Sequence, residues 1–202
     1  FVSWDAYPQY NTDPSDTAYM HTQMRGLKEG QPFWLMEQSP SQTNWTSYSR
    51  LKPPGLLRSI SYQAVAHGAD AVMYFQWRRG RGGFEKLHGA FVEHGGDENN
   101  RVFRETAQIG AELARIGTRL QGARVPAKVA ILMDWEHWWG ISVSSGPTRD
   151  MDYAGVIKRF YKAFHNLGIQ VEIVNPSAEL SRFEWVVAPM LMMLRQNDAE
   201  SV

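Results

Sequence analysis

The chain has 202 residues, 43% hydrophobic and 21% charged, and its 21 basic and 21 acidic side chains cancel to a formal net charge of zero. That content supports a packed core rather than a disordered polar chain, and the balanced charge leaves no electrostatic footprint for DNA or RNA. With no cysteine there is no disulfide and no thiolate metal site, and no apolar run approaches the length of a membrane-spanning helix, so neither nucleic acid nor membrane is expected as a partner.

The first residues, "FVSWDAYP", read as a short strand over 1–4 that exits through Asp5, Tyr7 and Pro8. A helix is expected around 16–28, stopping near Gly30. "PFWLME", 32–37, is a strand between Pro32 and Pro40. Pro53, Pro54 and Gly55 then break the chain, and Leu57, Ile60 and Ala64 recur at helical spacing up to Gly68. "AVMYFQW", 71–77, is apolar nearly throughout, as suits a parallel strand covered on both faces. An irregular stretch follows, and then a helix in which Val102, Thr106, Ile109, Leu113, Ile116 and Leu120 repeat at steps of three and four.

Pro126 marks a boundary. Beyond it come a strand over 129–133, a Trp-rich loop, and an amphipathic helix carrying Tyr153, Val156, Ile157, Phe160, Tyr161, Phe164 and Leu167 on one face. Strands in "QVEIV" and "FEWVVAPML" complete the pattern. The expected fold class is therefore α/β. Residues 1–124 read as a strand–helix alternation of the (β/α) type, and residues 125–202 as the opening of an open α/β domain. No Gly-x-Gly-x-x-Gly follows the second part's first strand, so nucleotide binding has no support and no cofactor is expected. No leader peptide is visible, and the cytoplasm is the expected compartment. The chain starts directly on a strand and ends in "RQNDAESV" without a finishing element, as a piece of a longer protein would.

The polar residues worth explaining sit just past strand ends: Asp5 and Tyr7, Glu37, then Trp77 and Arg78. In a (β/α) barrel that is where active sites lie. A strand-end carboxylate with Trp34, Trp45 and Tyr48 nearby in sequence suits a glycosidase nucleophile, although pairing with Arg or capping a helix would also account for it. Glu85 and His88 in "GFEKLHG" offer hydroxyl-binding groups, a solvated loop being the alternative; two such residues without cysteine make a metal site unexpected. Tyr7 is placed to hold the free oxygen of Glu37, or is structural. Arg78 and Arg79 orient loop carboxylates or lie on the surface. Asp134, Glu136 and His137, set among Trp135, Trp138 and Trp139, suit an interface better than chemistry.

"FWLMEQSPSQTNW", "KPPGLLRSISYQAVAHGADAVMYFQWRRGRGGFEKLHGAFVEHGG" and "ILMDWEHWW" resemble glycoside hydrolase family 42, the microbial β-galactosidases. The resemblance implies the last three strands of a (β/α)8 TIM barrel, followed by an incomplete α/β trimerisation domain. It implies a retaining hydrolase of terminal β-D-galactosides that assembles as a homo-trimer. By the same resemblance Glu37 is the nucleophile at the end of the seventh barrel strand, Trp45 lines the galactose subsite, and Glu85 and His88 bind galactose hydroxyls. The family's acid/base Glu follows an Asn after the fourth strand, a region with no counterpart in this chain. Some members hold zinc through barrel cysteines, which this chain lacks. "WRRGRGG" departs from the Gln and Ser that relatives more often show after the first Arg. Two other readings stay open: a retaining barrel glycosidase for another sugar, and a non-catalytic oligomerisation fragment.

Overall fold

A computed structural model describes residues 1–146 and 148–198. The chain divides into two compact units, one of residues 1–13 and 32–124, the other of residues 14–31 and 125–202. Residues 14–31, which sequence order groups with the first part, thus pack with the second.

The first unit is built on three parallel strands in the order β1 (Val2–Asp5), β2 (Phe33–Glu37), β3 (Ala69–Val72). β3 is shorter than the apolar run predicts. From Met73 the chain leaves the ladder but still crosses β2's exit, with Met73 N–H donating to Leu35 O at 2.8 Å and Phe75 N–H to Gln38 O at 3.1 Å. Period-two alternation sends Phe33 and Leu35 to the covered side of β2 and leaves Trp34 and Met36 exposed on the other. Helix α2 (Leu56–Ala66) packs on β3 and on α3 (Arg101–Leu120), where Leu57, Ile60 and Ile109 form the buried contact. Asn100 caps α3 through its side chain, which accepts from Phe103 N–H at 2.9 Å. This is a partial, open (β/α)-barrel sheet.

In the second unit, β4 (Val129–Leu132) lies between β5 (Val171–Val174) and β6 (Trp185–Val187), all parallel. Val129, Ile131, Val171 and Ile173 bury on one face against Ile141, Tyr153, Ile157 and Tyr161. Ala130, Leu132 and Val174 meet Leu180 and Phe183 on the other. Where a Trp-rich loop is expected, the chain forms helix α4 (Trp135–Val143), with Asp134 as its cap, accepting from Glu136 N–H at 3.0 Å. Helix α5 (Tyr153–Asn166) follows the predicted stripe.

The helix between β1 and β2, α1 (Pro14–Gly26), joins this core. Pro14 suits the first helical position, where its missing N–H has no intrahelical partner to lose. Its buried side is largely polar: Thr22 shares a hydrogen bond with Tyr161 at 3.1 Å, and Gln23 Nε2 donates to Met133 Sδ at 3.1 Å. Gly26 meets β5 so closely that a Cβ there would lie 1.8 Å from Ile173 O.

Candidate active site

Glu37 is the last residue of β2, opposite Asp5 in register with β1, and Ala6 N–H donates to its carbonyl at 2.9 Å. Its carboxylate is partly exposed at the strand mouth. The Tyr7 hydroxyl donates to Glu37 Oε2 at 2.5 Å, a short charge-assisted bond that occupies one of the two carboxylate oxygens. Burial first, and then that bond, push the Tyr7 phenol far above its ordinary range, so Tyr7 remains a donor. The Asp5 carboxyl is raised, by burial and secondarily by the Glu37 charge.

Tyr7 also organises the surrounding rings. Its ring meets Trp45 edge-on at 5.3 Å between centroids and His88 edge-on at 5.8 Å. Trp45 remains 59% exposed. His88 is only 1% exposed and packs against Phe75 at 5.1 Å, yet neither ring nitrogen has a hydrogen-bond partner among the described residues. Burial lowers its pKa, reinforced by Arg79 and Lys52 and opposed by Glu85 and Glu37. The ring is therefore neutral at pH 7, with one donor and one acceptor unspent. Buried polar atoms are rarely left unpaired, so these two suit a bound hydroxyl. Glu85 is exposed, three residues earlier in the same turn, and His88 N–H donates to its carbonyl at 2.9 Å.

The turn is held by a residue whose part the sequence left open. Arg79 donates to His88 O at 3.0 Å and Leu87 O at 3.1 Å, and pairs with Glu93 at 2.6 Å. Gln38 is fully buried at the exit of β2 and donates to Ser61 Oγ at 2.9 Å, which in turn contacts the Tyr74 hydroxyl at 2.8 Å. The polar run after Glu37, Gln38 to Asn44, is thus an internal scaffold. Its composition resembles an ordinary surface loop, so only the apolar strand before it hinted at burial.

Asp134, Glu136 and His137 do not form a chemical cluster. Asp134 caps α4, Glu136 pairs with Arg195 at 2.8 Å, and the buried His137 ring shares a hydrogen bond with Met190 O at 2.8 Å while lying 4.8 Å from Tyr153. Trp138 packs inward against the core of the second unit and stacks at a tilt on Trp135, whereas Trp139 is exposed. Among the described residues no three His, Asp or Glu side chains converge to hold a metal, and no helix is long and apolar enough to cross a membrane.

Comparison with known proteins gives two family matches, to "Beta-galactosidase" of the glycoside hydrolase 42 group over residues 1–116 and to "Beta-galactosidase trimerisation domain" over residues 127–202. The chain is 50% identical over 201 residues to β-galactosidase BgaP of Planococcus sp. and 43% identical over 202 residues to β-galactosidase bgaB of Geobacillus kaustophilus. It covers 100% of its own length in each and 30% of those proteins, so it spans under a third of the relatives it matches. The crystal structure of β-galactosidase from Bacillus circulans sp. alkalophilus superposes with a TM-score of 0.93 at 47% identity, over 98% of this chain and 30% of that one. A catalytic mutant of Gan42B, a family 42 β-galactosidase from G. stearothermophilus, superposes at 0.90 with 35% identity, over the same shares. An exo-β-1,4-mannosidase at 15% identity and a TM-score of 0.62, over 98% of this chain and 37% of that one, shares the fold.

Proposed function

The chain belongs to glycoside hydrolase family 42, and from that premise we propose that the protein it is part of removes terminal β-D-galactosyl residues with retention, using Glu37 as nucleophile. The observation that carries this reading is Tyr7. One side chain donates to Glu37 Oε2 at 2.5 Å and touches both Trp45 and His88 with its ring. The residues proposed as nucleophile, stacking platform and hydroxyl ligand thereby share contact with one side chain.

In the first step Glu37 Oε1 attacks the anomeric carbon as the bond to the leaving oxygen breaks, and a carboxylic acid protonates that oxygen. That acid is supplied by a part of the protein outside these 202 residues. The retaining geometry requires it about 5–5.5 Å from Glu37. Tyr7 holds the carboxylate in its attacking rotamer. It also stabilises the negative charge that returns to Glu37 when water, activated by the same acid in its basic form, releases galactose. His88, neutral and buried, and Glu85, exposed in the same turn, receive sugar hydroxyls, and Trp45 covers an apolar sugar face. The second unit makes the protein a trimer, a reading supported by its match to the trimerisation domain.

Glu37→Gln in the full-length protein tests the assignment. Gln keeps the shape and a partner for Tyr7 but cannot form the glycosyl ester. Turnover of an activated aryl β-galactoside should fall by about 10³-fold or more with the protein still folded. Activity within about tenfold of wild type would refute the role.

A further inference from the structure

Lys52 is a buried cation that the chemistry above does not use. It is 2% exposed, and among the described residues its ammonium donates to one acceptor, Ser41 O, at 2.7 Å. Burying a charge with one hydrogen bond is expensive, and an apolar side chain of the same length would fill that space more cheaply. The Lys52 backbone is itself tied down, because its carbonyl accepts from Arg101 Nη2 at 2.8 Å, with Arg101 bridging to Glu105 at 2.9 Å. Two prolines follow directly, and the first disfavours the helical conformation at Lys52.

From Ser41 a short relay of bonds leads to Leu87 and Gly89, the residues flanking His88. Ser39 Oγ donates to Gln42 O at 2.9 Å and accepts from Ser41 N–H at 3.3 Å. Gln42 O accepts from Gly89 N–H at 2.9 Å, and Gln42 Nε2 reaches Leu87 O at 3.4 Å. At Gly89 a Cβ would stand 2.9 Å from both Gln42 O and Ser41 Cβ, so the two loops touch at backbone level. Lys52 therefore sits behind the contact between the loop that carries Trp45 and the turn that carries His88.

We infer that Lys52 is a positioning residue of this site, fixing the loop of Trp45 against the turn of His88 through its bond to the Ser41 carbonyl. The inference rests on the reading of this mouth as a galactoside site. The bond is made by a cation at neutral pH, since burial lowers the Lys52 pKa only to about 8. The groups that act on the neighbouring His88 are Glu85, Arg79, Lys52 and Glu37.

Two neutral replacements separate the bond from the charge: Lys52→Met cannot donate to Ser41 O, and Lys52→Gln can. In the full-length protein, K52M should raise KM for an aryl β-galactoside about tenfold with kcat within threefold. It should also speed amide hydrogen exchange in peptides spanning 39–45 and 85–89, while K52Q restores most of both. A KM and exchange pattern unchanged in K52M overturns the inference, as does equal impairment of the two variants. If K52M does not fold, K52Q is set against wild type: near-normal KM and protection are expected, and loss of either overturns it. Exchange needs no substrate, so the two readings fail separately. Loosened peptides in a protein without galactosidase activity would refute the substrate and keep the anchor; an active galactosidase indifferent to K52M in both readouts would do the reverse.

Discussion

Glu85 and His88 sit in the same turn but are handled differently, one exposed, the other buried and neutral. The hydrogen bonds they would offer to sugar hydroxyls strengthen as the ring flattens toward an oxocarbenium-like state. Glu85→Gln or His88→Ala should each lower kcat/KM for galactosides about 10²-fold, the scale of one or two lost bonds to charged or buried groups. Azide should rescue Glu37→Gly as the α-azide and leave Glu85→Ala unrescued; strong rescue of Glu85→Ala as the β-azide would make Glu85 the acid/base. His88 also carries a pH signature. Its folded pKa lies below the unfolded value of about 6.5, so the stability it contributes is present above that pH and is lost on acidification through its folded pKa. Tm measured from pH 7 to 5 should fall less steeply in His88→Ala. Of these residues, Glu37 was legible because a carboxylate ending an apolar strand is anomalous in any sequence. Lys52 was not, because a lysine before two prolines looks like a solvated turn; its burial comes from loops that meet only in three dimensions.

At the scale of elements, periodicity found what local pattern determines. α3 and α5 carry their apolar stripes in the order expected, and the strands β1, β2, β4 and β5 lie within a residue or two of their apolar runs. Two elements depart from their sequence pattern for different reasons. β3 ends at Val72 although the apolar run continues to Trp77, because the chain turns across the exit of β2 instead of extending the ladder. α4 was hidden by its own aromatics: the Asp134 cap was present in the sequence, but three Trp in five residues obscured any stripe. The partner of α1 was also illegible, since only Ala18 and Tyr19 of its buried side are apolar and the rest is Ser, Thr, His, Gln and Arg, which no hydrophobic pattern marks. Its fit depends on Gly26, whose missing Cβ admits the backbone of β5. Gly26→Ala must push α1 and β5 apart. Although Ala is the better helix former, the variant should lose about 1–3 kcal/mol in denaturant unfolding monitored in the full-length protein. A variant at least as stable as wild type would show that the approach relaxes without strain.

For the whole molecule, the order of parts was legible and the membership of one segment was not. A (β/α) sheet followed by an open α/β domain follows from strand–helix alternation, and the break near Pro126 falls between the two family matches. That residues 14–31 leave the first unit and build the core of the second depends on side-chain pairings spanning more than a hundred residues, such as Thr22 with Tyr161. The site itself lies wholly in the first unit: Tyr7, Glu37, Trp45, Lys52, Glu85 and His88 all belong to residues 1–13 and 32–124. Its central claim is that a covalent bond forms at Glu37. A 2-deoxy-2-fluoro β-galactoside with a good leaving group slows hydrolysis of the glycosyl ester and lets it accumulate. After treatment of the full-length protein, digestion and mass spectrometry should find the fluorogalactosyl group on the peptide containing "WLMEQSPS", at Glu37. The same group found on the "GFEKLHG" peptide at Glu85, or on no peptide of this chain while activity is lost, would contradict the account.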